Sequence, residues 1–234
     1  VNTMPRNNEV VSLPAYLEQL QDAGVDALIV ADLGLASLIR ESFPDFELHA
    51  STQMSGHSVG AACFLKEKGF SRMVLAREMT KSNIELLCRQ APIETELFVH
   101  GALCASHSGQ CLMSSLIGGR SGNRGLCAQP CRIQYSFPSS APGYPLSLKD
   151  ASMAQHLKEL EQAGVHTLKI EGRMKRPEYT ALVTSIYKRA MVENREPTRE
   201  ELEQLQTVFS RDGFTDGYLM GKRGNHMFGT RKEE

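Results

Sequence analysis

Three features of this 234-residue sequence predict an α/β fold on a parallel sheet. Helical patterns alternate with short apolar, β-branched runs, glycines close several of the helices, and no glycine-rich dinucleotide fingerprint follows any run. The first helical pattern, residues 14–23, continues a stripe of Leu13, Leu17 and Leu20 and stops at Gly24. A buried strand is expected next, over 25–30. The same order returns at 58–68, closed by Gly69 and followed by a strand at 71–75. It returns again at 152–163, closed by Gly164 and followed by a strand at 166–170. Other strands are expected at 46–49, 96–99 and 145–148, with a clipped one at 1–3. This count fits a parallel (β/α)8 TIM-like barrel truncated at its N-terminus, since a full barrel takes about 250 residues. Residues 1–196 are assigned to that barrel, with a Cys-rich insertion over 100–144. Residues 197–234 form an extension, a charged helix at 198–209 followed by a glycine-rich tail.

Composition narrows the function classes. At 41% hydrophobic and 23% charged residues the chain has the make-up of a globular protein with a real core. A net charge of -1 argues against coating nucleic acid over the whole surface, while leaving room for a local basic site. No run approaches the roughly 20 apolar residues of a membrane span, and no leader pattern opens the chain. A cytoplasmic protein with no membrane partner is therefore expected.

Four of the six cysteines, Cys104, Cys111, Cys127 and Cys131, fall in the long insertion as C-x6-C-x15-C-x3-C. A loop this long, leaving the C-terminal end of a strand, is usually functional. Clustered cysteines in a reducing compartment read as metal ligands. Four thiolates suit tetrahedral zinc or a 4Fe–4S cluster. Zinc usually sits on two short knuckles and only one half here is short, so an iron–sulfur cluster is favoured, with zinc as the alternative. Cys63 and Cys88 lie in helical patterns and read as small buried hydrophobes.

Polar residues at the expected strand ends form a second group. Gln53, His100, Lys169, Glu171 and Arg173 are the catalytic candidates; Lys169 and Glu171 share one strand face, where a structural ion pair is the competing reading. Arg120, Asn123, Arg124 and Lys175 are candidates for substrate binding. The loop holds no acidic residue from Cys104 to Tyr144, which suits phosphate or carboxylate ligands. Arg231 and Lys232 add basic charge in the tail, where solvated surface is the favoured reading. The G-x-S-x-G match at Gly56–Gly60 admits a serine hydrolase, but Ser58 reads more simply as a helix N-cap.

The run ELFVHGALCASHSGQCLMSS closely resembles the signature of the collagenase-like peptidase U family, E-x-F-x-x-G-[SA]-x-C-x4-G-x-C-x-x-S. Glu96, Phe98, Gly101, Ala102, Cys104, Gly109, Cys111 and Ser114 occupy its positions. HASTQ, LAREM, KIEGRMK and RDGFTDGYLMG look like further family blocks in the right order, whereas MSGHSVG departs from the family's Asn-containing segment. The resemblance implies either collagenase-like proteolysis or oxygen-independent hydroxylation of tRNA or rRNA. For the latter it implies a 4Fe–4S cluster on Cys104, Cys111, Cys127 and Cys131, with prephenate as hydroxyl source. RNA and a small carboxylate are then the expected partners. A metal-stabilised, non-catalytic binding module is a third alternative.

Overall fold

Local capping chemistry sets where the main helices begin. In the structure, a computed structural model describing residues 2–138 and 140–229, α1 (Asn7–Val10) and α2 (Leu13–Asp22) precede β1 (Ala27–Val30). Asp32 accepts from the Leu35 amide at 2.7 Å and starts α3 (Leu33–Ser42), which returns the chain to β2 (Glu47–Ala50). Ser58 caps α4 (Val59–Glu67) by accepting from the Ala61 amide at 3.2 Å, and β3 (Phe70–Val74) follows. Next come α5 (Lys81–Gln90), β4 (Glu94–Gly101) and α6 (Met113–Gly118). A small antiparallel hairpin of β5 (Tyr135–Phe137) and β6 (Ser140–Gly143) leads to β7 (Asp150–Ser152). The chain then runs through α7 (Leu157–Gln162), β8 (Thr167–Ile170), α8 (Pro177–Val192), α9 (Arg199–Val208) and β9 (Phe214–Thr215).

The chain divides into two compact units that do not follow sequence order. One holds residues 1–76, 90–96 and 106–128; the other holds 77–89, 97–105 and 129–234. In the first, β1, β2 and β3 run parallel, and Arg72–Val74 pair parallel with residues 94–96 of β4. Val30, Leu48 and Met73 are fully buried on this sheet, and α3 packs beside β1 and α4 beside β3. In the second, residues 100–101 of β4 pair antiparallel with β7, β8 joins β4, and β7 pairs parallel with β9. Leu160, Val183, Ile186 and Leu205 are buried there, from α7, α8 and α9.

The architecture is thus α/β with a mostly parallel sheet, in the strand order β1-β2-β3-β4-β7-β9 with β8 on β4. Among the described residues no ladder closes this path into a barrel. The run at 145–148 is not a strand. Pro145 offers no ladder donor, Ser147 turns back on the Tyr144 carbonyl at 3.1 Å, and Leu148 makes only an isolated bridge to Phe228. The strand forms two residues later, in β7, which claims Ser152; the helix expected from 152 therefore begins, after a 3-10 turn, at Leu157. Residues 2 and 3 form no strand, and Val1 lies outside the described residues, as do Arg231 and Lys232 of the tail. No described helix is long and apolar enough to cross a membrane.

Candidate functional site

In the first unit the loop is laid onto the turn after β2 by a chain of hydrogen bonds. Ser51 Oγ accepts from the Gln53 amide at 3.0 Å and shapes a 3-10 turn over Thr52–Met54. Ser55 Oγ donates to the Ser108 carbonyl, Gln110 Nε2 donates to Ser55 Oγ at 3.2 Å, and Asn123 Nδ2 donates to the Gly109 carbonyl at 2.8 Å. Gly109 sits at φ +77°, where a Cβ would lie 2.1 Å from the Gln53 carbonyl oxygen. The Gln53 side chain donates to the Asn2 carbonyl at 2.9 Å, and its Oε1 is buried without a hydrogen-bond partner. Ser114 Oγ accepts from the Ala128 amide at 2.9 Å and so holds the residue after Cys127. Gly122 lies between the two cysteines of this unit, its Cβ position 3.7 Å from Cys127 Cβ and 4.0 Å from the Cys111 carbonyl.

Two of the proposed substrate-binding cations have local protein partners. Arg124 grips Glu9 through both oxygens, at 2.6 and 2.9 Å, and donates to the Met4 carbonyl at 2.7 Å. That grip, with the Arg6 amide, holds the Glu9 carboxyl down at about 2. Arg120, though exposed, donates from Nε to the Leu126 carbonyl at 3.0 Å.

The second unit holds Cys104 and Cys131 around a buried cation. Arg132 is 4% exposed and donates to Ser147 Oγ at 3.1 Å and to the carbonyls of Leu148 and Leu103. Burial and the neighbouring Arg211 pull its pKa down, while Cys131, Asp150 and Cys104 act on it in the opposite sense. Asp150, 1% exposed, is held by Arg211 through the guanidinium at 2.6 Å and the backbone amide at 3.2 Å. None of the four loop cysteines is in a disulfide, and Cys127 is exposed. Among the described residues, no three His, Cys, Asp or Glu side chains are grouped to hold a metal ion. In its chemistry, though not in such a grouping, a set of four thiols outside any disulfide is the donor set that a thiolate-bound centre takes.

The strand-end candidates of this unit fall into separate groups. His100 is a core residue, 1% exposed, packed against Phe214 at 5.0 Å, Tyr187 at 5.4 Å and Tyr179 at 6.0 Å between ring centroids. The Tyr187 hydroxyl, kept protonated by burial, donates to the Val99 carbonyl at 3.0 Å, so His100 Nδ1–H donates to Tyr187, also at 3.0 Å. His100 Nε2 is left buried without a partner, and burial pushes the ring's pKa down to about 4. A ring this hard to protonate is neutral at pH 7 and cannot serve there as a cationic acid.

Lys169 lies instead on an aromatic platform that it shares with Arg77, the partner of Glu171. The Arg77 guanidinium stacks 4.3 Å from the Phe98 ring centroid, Lys169 Nζ lies 5.3 Å from it, and Arg77 bonds Glu171 at 3.3 Å. Glu171 also accepts from the Arg173 amide at 3.0 Å. Lys175 lies apart, over the rings of Phe209 at 2.7 Å and Tyr179 at 5.8 Å. Arg77 and Phe98 were missed as site residues by sequence reading; their places inside LAREM and ELFVHG, just after β3 and within β4, were the available signal. Ser58 is spent on its cap, and the neighbouring His57 ring bonds the Ser55 carbonyl at 2.6 Å.

An α/β protein with a thiol-bearing loop beside cationic side chains is the class that fold and site define. The chain matches the model of peptidase family U32 over residues 1–228 and belongs to that family. It is 39% identical over 204 residues to the 23S rRNA 5-hydroxycytidine C2501 synthase of Escherichia coli, which covers 83% of this chain. It is 35% identical to tRNA hydroxylation protein P1 of Bacillus subtilis over 97% of the chain, and 32% identical to a collagenase of Porphyromonas gingivalis over 98%. The chain spans 31%, 58% and 61% of these relatives' own lengths.

Proposed function

We propose that this chain is the cluster-bearing part of an oxygen-independent RNA hydroxylase. In this reading Cys104, Cys111, Cys127 and Cys131 hold a 4Fe–4S cluster, a tRNA or rRNA nucleotide is the substrate, and prephenate is the hydroxyl source. The thiol loop carries the reading: four cysteines outside any disulfide, two beside Gly122 and two beside Arg132, in a segment without a carboxylate from Cys104 to Tyr144. The names of the Escherichia coli and Bacillus subtilis relatives support RNA as the polymer. When bound, the cluster supplies one-electron redox chemistry.

The other residues bind and orient. Arg77, Lys169 and Arg173 offer charge for a carboxylate or phosphate, with Phe98 fixing the first two and Glu171 aiming Arg77. Neutral His100 braces β4 behind them through Tyr187. A cytoplasmic site of action and a (β/α)8 barrel for the whole protein belong to the same reading. The relative named as a collagenase favours peptidase activity as a second reading.

Deleting the gene should remove one hydroxylated nucleoside from digests of total tRNA or rRNA. Wild-type protein should restore it and Cys104→Ala should not. An unchanged nucleoside profile overturns the proposal. Gelatin cleavage by purified full-length protein that survives Cys104→Ala would move the assignment to the peptidase.

A further inference from the structure

Arg132 is the most deeply buried of the loop's cations, at 4% exposure, and all three of its hydrogen bonds end on neutral oxygens. Burying a guanidinium is costly unless its charge is matched. The one carboxylate acting on it, Asp150, is already gripped by Arg211 through both of its oxygens. Arg132 and Arg211 against Asp150 leave these three side chains one positive charge in excess, Arg132 and Asp150 being buried and Arg211 partly exposed. Arg132 directly follows Cys131 in the chain and bonds the carbonyl of the residue before Cys104, so its charge sits between the segments that carry these two cysteines.

The hydrogen bonds show what the guanidinium does there. Nη2 donates to the carbonyl of Leu103, the residue before Cys104. Nη1 donates to Ser147 Oγ and the Leu148 carbonyl, the segment leading into β7. Arg132 itself follows Cys131 in the 3-10 turn Pro130–Arg132, whose Pro130 carbonyl accepts from the Tyr135 hydroxyl at 2.8 Å. One side chain thus joins the backbone before Cys104, the backbone after Cys131 and the approach to the sheet. The planar, forked geometry of arginine serves three acceptors at once, which the single ammonium of lysine does not reproduce.

We infer that Arg132 is a positioning residue for the thiolate centre, clamping the segments that carry Cys104 and Cys131 to the approach of β7 and holding positive charge beside both sulfurs. The inference rests on the cluster proposed above. Groups behind metal ligands typically change metal retention 10- to 100-fold when removed. A positive charge beside a cluster also favours its reduced, more negative form.

The test uses the full-length protein, purified without air, as wild type, Arg132→Met, Arg132→Lys and Ser147→Ala. Iron and sulfide per chain, the rate of iron loss to a chelator, the reduction midpoint potential and the thermal midpoint of the iron-free protein are measured. Arg132→Met should lose iron roughly tenfold faster or more and be reduced at a lower potential. Arg132→Lys should recover the potential but not the retention. Ser147→Ala, the milder change because it removes one acceptor and leaves the guanidinium in place, should lose iron at an intermediate rate. Wild-type retention and potential in Arg132→Met, or in both Arg132→Lys and Ser147→Ala should Arg132→Met not fold, overturn the inference while leaving the cluster intact. Absence of iron and sulfide from the wild type overturns the cluster reading itself, and the inference with it.

Discussion

Gly109 illustrates how far one missing side chain reaches. Its backbone abuts the Gln53 carbonyl at a φ that side chains resist, so the loop seats on the turn after β2 only without a Cβ. Gly109→Ala should destabilise the protein by about 1–3 kcal/mol, visible as a lowered thermal midpoint. Gly60→Ala in α4, where a Cβ meets nothing within 4 Å, is the matched control and should be neutral or mildly stabilising. Gly101 follows the same logic, at φ +108° with its Cβ position 2.7 Å from the Glu171 carbonyl. His100 makes a second prediction at this scale. An unfolded histidine protonates near pH 6.5, whereas the folded ring does so only near 4. The folded pKa is depressed, so the unfolded chain takes up the proton first. The stabilisation is complete above pH 6.5 and is lost as pH falls from 6.5 to 4, by roughly 3 kcal/mol in all. Urea midpoints at pH 7.5 and 5 should differ less in His100→Phe than in wild type; an equal difference would show that His100 is not the group responsible.

At the scale of elements, caps and side-chain pairs explain more than intrinsic propensity. Thr198 and Glu201 form a reciprocal capping box on α9, and Glu201 also binds Arg195 at 2.6 and 2.8 Å and Arg189 at 3.1 Å. The α9 terminus is thereby fastened to α8 and to the turn after it. Ser58 does the equivalent service for α4. Ser58→Ala should lower stability by about 1 kcal/mol and leave nucleoside hydroxylation and any gelatin cleavage unchanged. Loss of cleavage with stability retained would reinstate Ser58 as a nucleophile. The loop itself is an element of a kind: α6, two 3-10 turns and the β5–β6 hairpin give it internal structure that its Gly, Ser and Arg content hid. Its motif residues have separable physical tasks. Phe98 is a cation platform, Ser114 a tie to the residue after Cys127, and Glu96 a buried carboxylate 3.9 Å from Arg72.

For the whole molecule, the proposed cluster would tie the loop's stability to metal, because its free energy of binding would then be part of that stability. Stripping iron from the full-length protein should speed tryptic cleavage after Arg120 and Arg124 within the loop, while fragments from α2–β3 and α7–α9 persist. Equal cleavage with and without iron would separate the loop's structure from its metal.

The order of helices and strands was legible in the sequence because burial periodicity and helix stops are local: β1, β2, β3, β4 and β8 lie within three residues of their expected positions. The cysteine spacing and the absence of acid around it were equally local, and so was the cap at Ser58. What tertiary structure decided were the long-range pairings. The antiparallel approach of β7 to β4 depends on where Pro145 and the Tyr144–Ser147 turn break the chain, and on a register that only the partner strand supplies. Arg124 became the partner of Glu9, 115 residues away. Lys169 and Glu171 gained Arg77 and Phe98, and His100 was enclosed in an aromatic cage that keeps it neutral. Composition shows which side chains can carry charge or bind metal; burial and distant partners determine which of them are already engaged, because desolvation and pairing exist only once the chain has folded back on itself.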